Sequence, residues 1–184
     1  MGKSFKKAFS LIELMVVLAV FVALCALVAP LFIKSPDYML NSELNKLVIG
    51  FLYVQQKAMA SGQTQKITFD VSQNAYSYIG LGGKTCINKL SDPINIGFID
   101  TVKGPPASPN QIISQAVTFQ SNSQENWGVS CAICLPDGKM SPGTVYLTDK
   151  HKKFMGAVTC SVSPVACVRK YRWGTGKWEI MGLE

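Results

Sequence analysis

The sequence is poor in histidine and in acidic residues. It contains one histidine, His151, between Lys150 and Lys152, and 11 aspartates and glutamates among 184 residues. A Ser-His-Asp arrangement would depend on this histidine in a charged loop, and Asp149, two residues before it, does not orient it. The acidic residues are scattered and form no loop with the spacing of a calcium site. We therefore expect no enzymatic activity, no metal and no cofactor.

Internal repeats and low-complexity linkers are also absent from the sequence. At 184 residues the chain has room for one compact domain plus an appendage, and hardly for two full domains. It is 48% hydrophobic and 16% charged, with a mean hydropathy of +0.20, which is high for an ordinary soluble domain. The excess is localised, because the twenty residues from Leu14 to Ile33 carry no charge. Such a run is long enough to cross a bilayer core as a helix.

Basic residues outnumber acidic ones, and the formal net charge is +7. Three of these charges, Lys3, Lys6 and Lys7, precede the apolar run, so the rest of the chain carries the remaining +4 of the +7. Positive charges ahead of a spanning helix keep the N-terminus in the cytoplasm. The pattern predicts a single-pass membrane protein whose larger part is exported.

The residues around the start of the apolar run follow an unusual order. Lysine-rich residues lead to Ala8, and then come Phe9-Ser10-Leu11-Ile12-Glu13 and further apolar residues. A carboxylate in a spanning segment costs up to about 3 kcal/mol at the helix centre and less near its end. Glu13 is therefore a functional candidate that needs a partner.

These residues resemble the type IV prepilin signature. The resemblance implies that a prepilin peptidase cuts between Ala8 and Phe9, and that Phe9 becomes the N-methylated first residue of the mature chain. The new amine is largely cationic at neutral pH, and Glu13 lies on the same helix face, four residues on. Glu13 could pair with its own amine or with a neighbour's; in the family, pairing between subunits sets the register of a joining subunit. Ala8 departs from the family's usual glycine, although it is also small.

Conventional export signals and anchors account for fewer of these residues. An ordinary signal peptidase site near Ala29 would be blocked by Pro30, and a lipoprotein signal at Cys25 would follow a residue that is too large. A plain membrane anchor leaves Phe9 and Glu13 without a role. Pro30 agrees with the helix-loosening proline that pilin-like proteins often carry, and we predict a helix kink there.

A second apolar pattern with helical spacing follows Pro36. Apolar residues recur at three- and four-residue intervals from Leu40 to Met59, which predicts an amphipathic helix whose apolar stripe packs against a sheet. Asn41 or Ser42 is expected to cap its start, and Gly62 is expected to end it.

Beyond Gly62 the period changes to two, which predicts antiparallel strands. Lys66–Val71 and Ala75–Ile79 are expected to form a hairpin, and residues 80–110 are expected to form loops around a short strand near Ile94–Ile99. The remaining strands are predicted at Ala116–Gln120, Cys131–Leu135, Thr144–Leu147, Ala157–Val162, Val165–Trp173 and Lys177–Ile180.

The predicted fold is α+β and pilin-like, with one long kinked N-terminal helix packed on an antiparallel β-sheet domain. We divide the chain into a basic leader (1–8), a transmembrane or filament-core helix (9–33) and an exported globular domain (34–184). In the exported domain, residues 34–62 are helical and residues 63–184 are rich in strands.

This layout resembles the H-type minor pseudopilins of type II secretion and the related T-type minor pilins. Besides the N-terminal signature, the resemblance depends on Gln55–Phe69, Gly143–Thr148 and Val168–Trp173. It implies a structural subunit of a periplasmic filament, anchored in the bacterial inner membrane. The implied partners are other pseudopilin or pilin subunits, the prepilin peptidase and the inner-membrane assembly platform. A minor pilin of a type IV pilus is the alternative that the sequence does not separate.

Five of the six cysteines lie in the exported part, where an oxidising compartment favours disulfides. Cys160 and Cys167 flank a Ser-Pro turn, so we expect a disulfide between them, with Cys86 joined to Cys131 or Cys134. The spacing of Cys131 and Cys134 also raises the alternative of a membrane-anchored redox or zinc protein. The redox alternative is weakened because the pair lies in a predicted strand instead of at a helix N-terminus.

The last third of the chain is basic, with aromatic residues interleaved. Lys152, Lys153, Arg169 and Arg172 are the candidates for contact with DNA phosphates or with a protein partner. Basic residues at alternate strand positions also line the solvated face of a half-buried sheet. We favour that second interpretation, because +4 is modest for a nucleic-acid binder.

Overall fold

The computed structural model describes residues 10–28, 35–106, 111–119, 130–161 and 168–182. The chain divides into two compact units, Met1–Ser35 and Pro36–Glu184. The first unit contains helix α1 (Leu11–Val28), in which Glu13 is the one charged residue. The described part of the second unit contains helix α2 (Pro36–Ser61) and nine strands.

Helix α2 begins earlier than its apolar stripe indicates. Pro36 occupies its first position, where the missing N–H is no loss because that group has no partner inside the helix. The expected caps Asn41 and Ser42 lie within the helix, so that prediction is wrong. Gly62 has a φ of 64° and ends the helix in the left-handed conformation, as the sequence predicts.

The strands form two antiparallel sheets. In chain order they are β1 (Gln65–Asp70), β2 (Ala75–Ile79), β3 (Thr85–Lys89), β4 (Ile94–Ile96), β5 (Cys131–Cys134), β6 (Gly143–Asp149), β7 (Met155–Cys160), β8 (Val168–Gly174) and β9 (Lys177–Met181). Sheet 1 has the order β3-β2-β1-β5, and sheet 2 has the order β4-β6-β7-β8-β9.

Two of the strand predictions are wrong, whereas the β1–β2 hairpin is confirmed with Asp70 opposite Ala75. Strand β3 was predicted as loop, because its one large apolar residue, Ile87, gives no alternating pattern. The segment predicted as a strand from residue 116 makes only an isolated bridge from Val117 to Val145 in its described part. Strand β4 occupies the rest of that edge of β6.

Helix α2 packs against both sheets through one apolar core. The ring of Phe51 on α2 has its centroid 6.0 Å from that of Phe69 on β1 and 5.7 Å from that of Phe119. Leu44 contacts β7 at Gly156, where an added Cβ would lie 2.4 Å from its Cδ1 atom. A side chain at position 156 would therefore push α2 away from sheet 2.

Sheet 2 is covered on its other face as well. Tyr146, Met155 and Tyr171 pack there with Val102 and Ile113, which belong to the segment between β4 and β5. All six residues of β7 and six of the seven in β6 are buried. Strands β6 and β7 are therefore covered on both faces.

The two sheets are joined by Asn74, in the turn between β1 and β2. Its side-chain Nδ2 donates a hydrogen bond to the carbonyl of Ile94 (2.8 Å), and its Oδ1 accepts one from the N–H of Ile96 (2.7 Å). Asn74 has a φ of 51°, a left-handed conformation that asparagine tolerates better than most residues.

The α+β class and the packing of a helix on antiparallel strands are confirmed, with two sheets in place of one. The predicted kink at Pro30 lies outside the described residues.

Candidate functional site

The candidate site with the strongest sequence signal is the start of α1. The backbone carbonyl of Ser10 accepts hydrogen bonds from the N–H groups of Glu13 (3.0 Å) and Leu14 (3.2 Å). Glu13 thus lies in the first turn of the helix. The positive end of the helix dipole favours a carboxylate at this position. Ala8 and Phe9, between which cleavage is predicted, lie outside the described residues.

The apolar side chains of α1 are uncovered within the described chain. From Leu11 to Leu24 the large ones are 54–77% exposed, and they occur on every side of the helix. A helix that is apolar on all sides needs apolar material around it. Covering such a side chain contributes about 1.5–3 kcal/mol. Helix α1 therefore presents a large unsatisfied apolar surface with one acid near its start.

Of the helices in the described ranges, none has both the length and the hydropathy of a membrane span.

The basic candidates Lys152 and Lys153 lie in the turn between β6 and β7. Lys152 Nζ is 3.0 Å from the Oδ2 atom of Asp100, and both side chains are largely exposed. The ammonium of Lys153 is 5.5 Å from the ring centroid of Phe154, which is a cation–π contact. An exposed ion pair contributes little to stability, but it reduces the positive charge that the turn offers to a partner.

The basic candidates Arg169 and Arg172 lie on opposite faces of β8, because they are three residues apart in a strand. Arg172 Nη2 is 2.8 Å from Asp37 Oδ1 on α2, so its charge is paired within the fold. Arg169 lies on the other face, opposite Thr159 of β7.

The four basic candidates do not form one surface. The turn with Lys152 and Lys153 precedes Met155, whereas Arg169 pairs with Thr159, four residues further along β7. Four residues of strand span about 13 Å. The structure therefore separates the turn lysines from Arg169 and directs Arg172 to α2.

Lys170 makes a buried contact that the sequence pattern did not predict. Its side chain is buried, and Nζ donates hydrogen bonds to Asn41 Oδ1 (3.1 Å) and Asn45 Oδ1 (2.6 Å). A buried ammonium needs such acceptors. Together with the ion pair of Arg172, this contact fixes β8 to α2. The sequence held one signal for this contact, namely two asparagines four residues apart on the amphipathic helix α2.

The spacing of Cys131 and Cys134 does not bring their thiols together. Both lie in β5, where residues three apart point to opposite faces of the sheet. Burial raises the pKa of the Cys134 thiol to about 12, so it stays protonated at neutral pH. A redox dithiol or a zinc site needs accessible thiolates on one side of the strand. The arrangement does not support the redox or zinc alternative.

The expected disulfide from Cys86 to Cys131 or Cys134 is also wrong. Cys86 lies in β3 and the other two in β5, with β2 and β1 between them. Three strand spacings amount to about 14 Å, whereas a disulfide needs Cα atoms about 4.4–6.8 Å apart. Cys160 is buried at the end of β7. Its predicted partner Cys167 lies outside the described residues, so that disulfide stays a prediction.

His151 lies in the turn that the buried carboxylate of Asp149 organises. Asp149 accepts hydrogen bonds from the backbone N–H groups of His151 (3.1 Å), Lys153 (2.7 Å) and Phe154 (2.7 Å). The His151 side chain is exposed. Across the described ranges, no three histidine, cysteine, aspartate or glutamate side chains are grouped so that they could hold a metal ion.

The N-terminal segment matches a known family model. Residues 3–29 match the prokaryotic N-terminal methylation motif, which confirms the resemblance to type IV prepilins for this segment. The match includes Glu13 and the start of α1, and it does not extend to the second unit. No curated protein is similar to the chain at a significant level.

Among solved structures, the chain resembles the minor pseudopilin EpsH from the type 2 secretion system of Vibrio cholerae. The two are 11% identical, the alignment covers 77% of this chain and 95% of that chain, and the TM-score is 0.42.

Proposed function

We propose that the protein is a minor pseudopilin of a type II secretion system, a structural subunit of a periplasmic filament. The observation that carries this proposal is α1, a helix with uncovered apolar side chains on all sides and a single acid in its first turn. The methylation motif at residues 3–29 supports it independently. A helix of this kind is suited to reside in a bilayer and then to pack among other such helices in a filament.

In this function, maturation creates the partner of Glu13. The prepilin peptidase removes residues 1–8, and Phe9 becomes an N-methylated terminus with a cationic amine. The amine and the Glu13 carboxylate are of opposite charge and attract strongly in an apolar environment. An unpaired carboxylate there is costly, so a joining subunit is held at the axial position where Glu13 meets a neighbour's amine.

The second unit is the exported domain, positioned in the periplasm by the lysines that keep the N-terminus cytoplasmic. Its partners are other pseudopilin subunits, and the inner-membrane assembly platform inserts the subunit.

The test is substitution of Glu13 in cells that produce the full chain. Glu13→Leu should lower the amount of subunit recovered in sheared or cross-linked filaments at least tenfold. This decrease corresponds to a loss of about 1.4 kcal/mol or more in the free energy of assembly. Glu179→Leu, at an exposed acid of β9, is the matched control and should assemble normally. Mass spectrometry of the membrane-extracted wild type should find a chain that begins at methylated Phe9. Recovery of a mature chain that retains residues 1–8, or normal assembly of Glu13→Leu, would contradict the proposal.

The alternative within filaments is a minor pilin of a type IV pilus. Deletion of the gene separates the two, because loss of protein export with normal pili supports the secretion role, and loss of pili with normal export supports the pilus role. DNA capture by the pilus form is less well supported, because Lys152, Lys153, Arg169 and Arg172 lie in different places and two of them are in ion pairs.

A further inference from the structure

Strand β3 is an edge strand whose outer hydrogen-bonding groups face away from the sheet. The N–H of Gly80 donates to the carbonyl of Lys84, and the N–H of Leu90 donates to the carbonyl of Asn74. Antiparallel pairing alternates, so the even-numbered residues of β3 bond to β2. Thr85, Ile87 and Lys89 therefore direct three N–H and three C=O groups outward. No described strand pairs with this edge.

The side chains around this edge are exposed and partly apolar. Ile87 is 68% exposed and Leu81, in the preceding turn, is 84% exposed. On the side of the sheet that faces α2, the Nδ2 atom of Asn88 is buried and has no hydrogen-bond partner. Such a donor is costly to leave unsatisfied.

The charge at this edge is of one sign. Lys84 and Lys89 are exposed at the two ends of β3, and the segment from Ala75 to Ser91 contains no acidic residue. Neither lysine is in an ion pair within the described chain. The carboxylate of Asp70, two strands away, is engaged by Ser72 and by the N–H of Gln73.

The geometry points to β3 as a docking strand for an extended segment of a different protein, with an apolar centre and an acidic residue on either side. The outward groups of Thr85, Ile87 and Lys89 would pair with its backbone, as in other cases of β-strand addition. In antiparallel alignment, acids opposite Lys84 and Lys89 are five positions apart, or about 17 Å. The site is independent of the proposed filament role of α1.

A second copy of this chain fits the same edge poorly. Antiparallel pairing of two β3 strands about Ile87 would place Lys89 of one copy opposite Thr85 of the other, next to Lys84. The interface would then hold four lysines, Lys84 and Lys89 of each copy, with no acidic residue between Ala75 and Ser91 to offset their charge. Lysines on an exposed edge are a known protection against self-pairing.

The experiment measures peptide binding to the full-length chain in detergent by fluorescence anisotropy. The probe is a labelled six-residue peptide with glutamate at both ends and alternating threonine and valine between them. The wild type should bind it, and the double variant Lys84→Glu/Lys89→Glu should bind it about tenfold or more weakly. The same variant should bind a matching peptide with lysine at both ends more tightly than the wild type does.

Ile87→Pro tests the backbone groups separately. The N–H of residue 87 faces away from β2, so proline removes an outward donor without breaking the existing ladder. Binding should be lost in Ile87→Pro and retained in Ile87→Thr, which keeps the N–H. Near-ultraviolet circular dichroism checks that Ile87→Pro is folded. If it is not, the inference is decided by the Lys84→Glu/Lys89→Glu variant and its binding of the two peptides.

The inference is overturned if the wild type binds neither peptide, or binds both equally. It is also overturned if the wild type self-associates through an interface that Ile87→Pro abolishes, since that result assigns the edge to a second copy.

Discussion

Helices α1 and α2 are both rich in apolar residues, but among the described residues only those of α2 have an apolar stripe that the chain itself covers. Leu40, Leu44 and Leu47 on α2 are 1% exposed, whereas the large apolar side chains of α1 from Leu11 to Leu24 are at least 54% exposed. The difference follows from periodicity. Most apolar positions of α2 lie on the side that the two sheets cover, with Ile49 an exposed exception, whereas α1 is apolar on every side. An apolar residue therefore stabilises the folded unit in α2, whereas on α1 it stays exposed within the described residues.

Truncation of one phenylalanine in each helix should produce the largest contrast. Phe51→Ala removes a fully buried ring from the core and should lower the free energy of unfolding by about 3–5 kcal/mol. Phe21→Ala, at a ring 63% exposed on α1, should change it by less than about 0.5 kcal/mol. Urea unfolding of the full-length chain, followed by tryptophan fluorescence, measures both. Equal effects would mean that α1 is part of the same cooperative core.

A smaller loss is expected where α2 lies closest to β7. Gly156→Ala places a Cβ 2.4 Å from Leu44 Cδ1 and should destabilise the unit by about 1–3 kcal/mol. Gly174→Ala is the matched control, because no atom lies within 4 Å of its added Cβ. Leu44→Ala in the Gly156→Ala background should recover part of the loss, measured as a coupling energy in a double-mutant cycle. Strictly additive effects would contradict the close approach.

The smallest effect concerns the buried thiol of Cys134. Burial raises the pKa of the thiol from an ordinary 9.0 to about 12. The unfolded thiol loses its proton near pH 9, whereas the folded thiol keeps it up to about pH 12. The protonated Cys134 thiol therefore makes its full contribution to the free energy of unfolding below pH 9, and this contribution declines between pH 9 and pH 12.

This decline should amount to about 1.4 kcal/mol between pH 8 and pH 10. The wild type should lose that much more stability than Cys134→Ala over the same interval, because the variant has no thiol to titrate. Unfolding free energies of the two proteins at both pH values test this. Identical pH dependence of the two proteins would show that the Cys134 thiol is accessible in the folded state. Alkylation is a second check of accessibility, with the exposed thiol of Cys86 as the comparison.

The elements that the sequence predicted well have strong, local signals. Alternating apolar residues predicted the β1–β2 hairpin, and the glycine at position 62 predicted the end of α2. Strand β3 was missed because its formation depends on pairing with β2, and an exposed edge strand needs no apolar alternation. The burial of Lys170 was not predicted for a related reason. It depends on the packing of β8 on α2, which places the Lys170 ammonium beside the side-chain amides of Asn41 and Asn45.

The candidate site was predictable at its motif and not beyond it. The order of residues from Ala8 to Glu13 was sufficient to predict the N-terminal methylation motif that residues 3–29 match, because that motif depends on spacing along one segment. Cleavage before Phe9 and the role of Glu13 stay predictions. The sequence could not show in the same way whether the basic candidates form one binding surface. These are Lys152, Lys153, Arg169 and Arg172. Whether distant residues share a surface depends on strand register and on which face of a sheet each side chain occupies.

The sequence by itself determined the apolar first helix, the acid near its start and the α+β class, because hydropathy, charge order and periodicity are written along the chain. Only the tertiary structure decided that there are two sheets, that Cys131 and Cys134 point apart, and that β3 has an open edge. These features depend on which strands become neighbours, and strand pairing is set by packing between residues far apart in sequence.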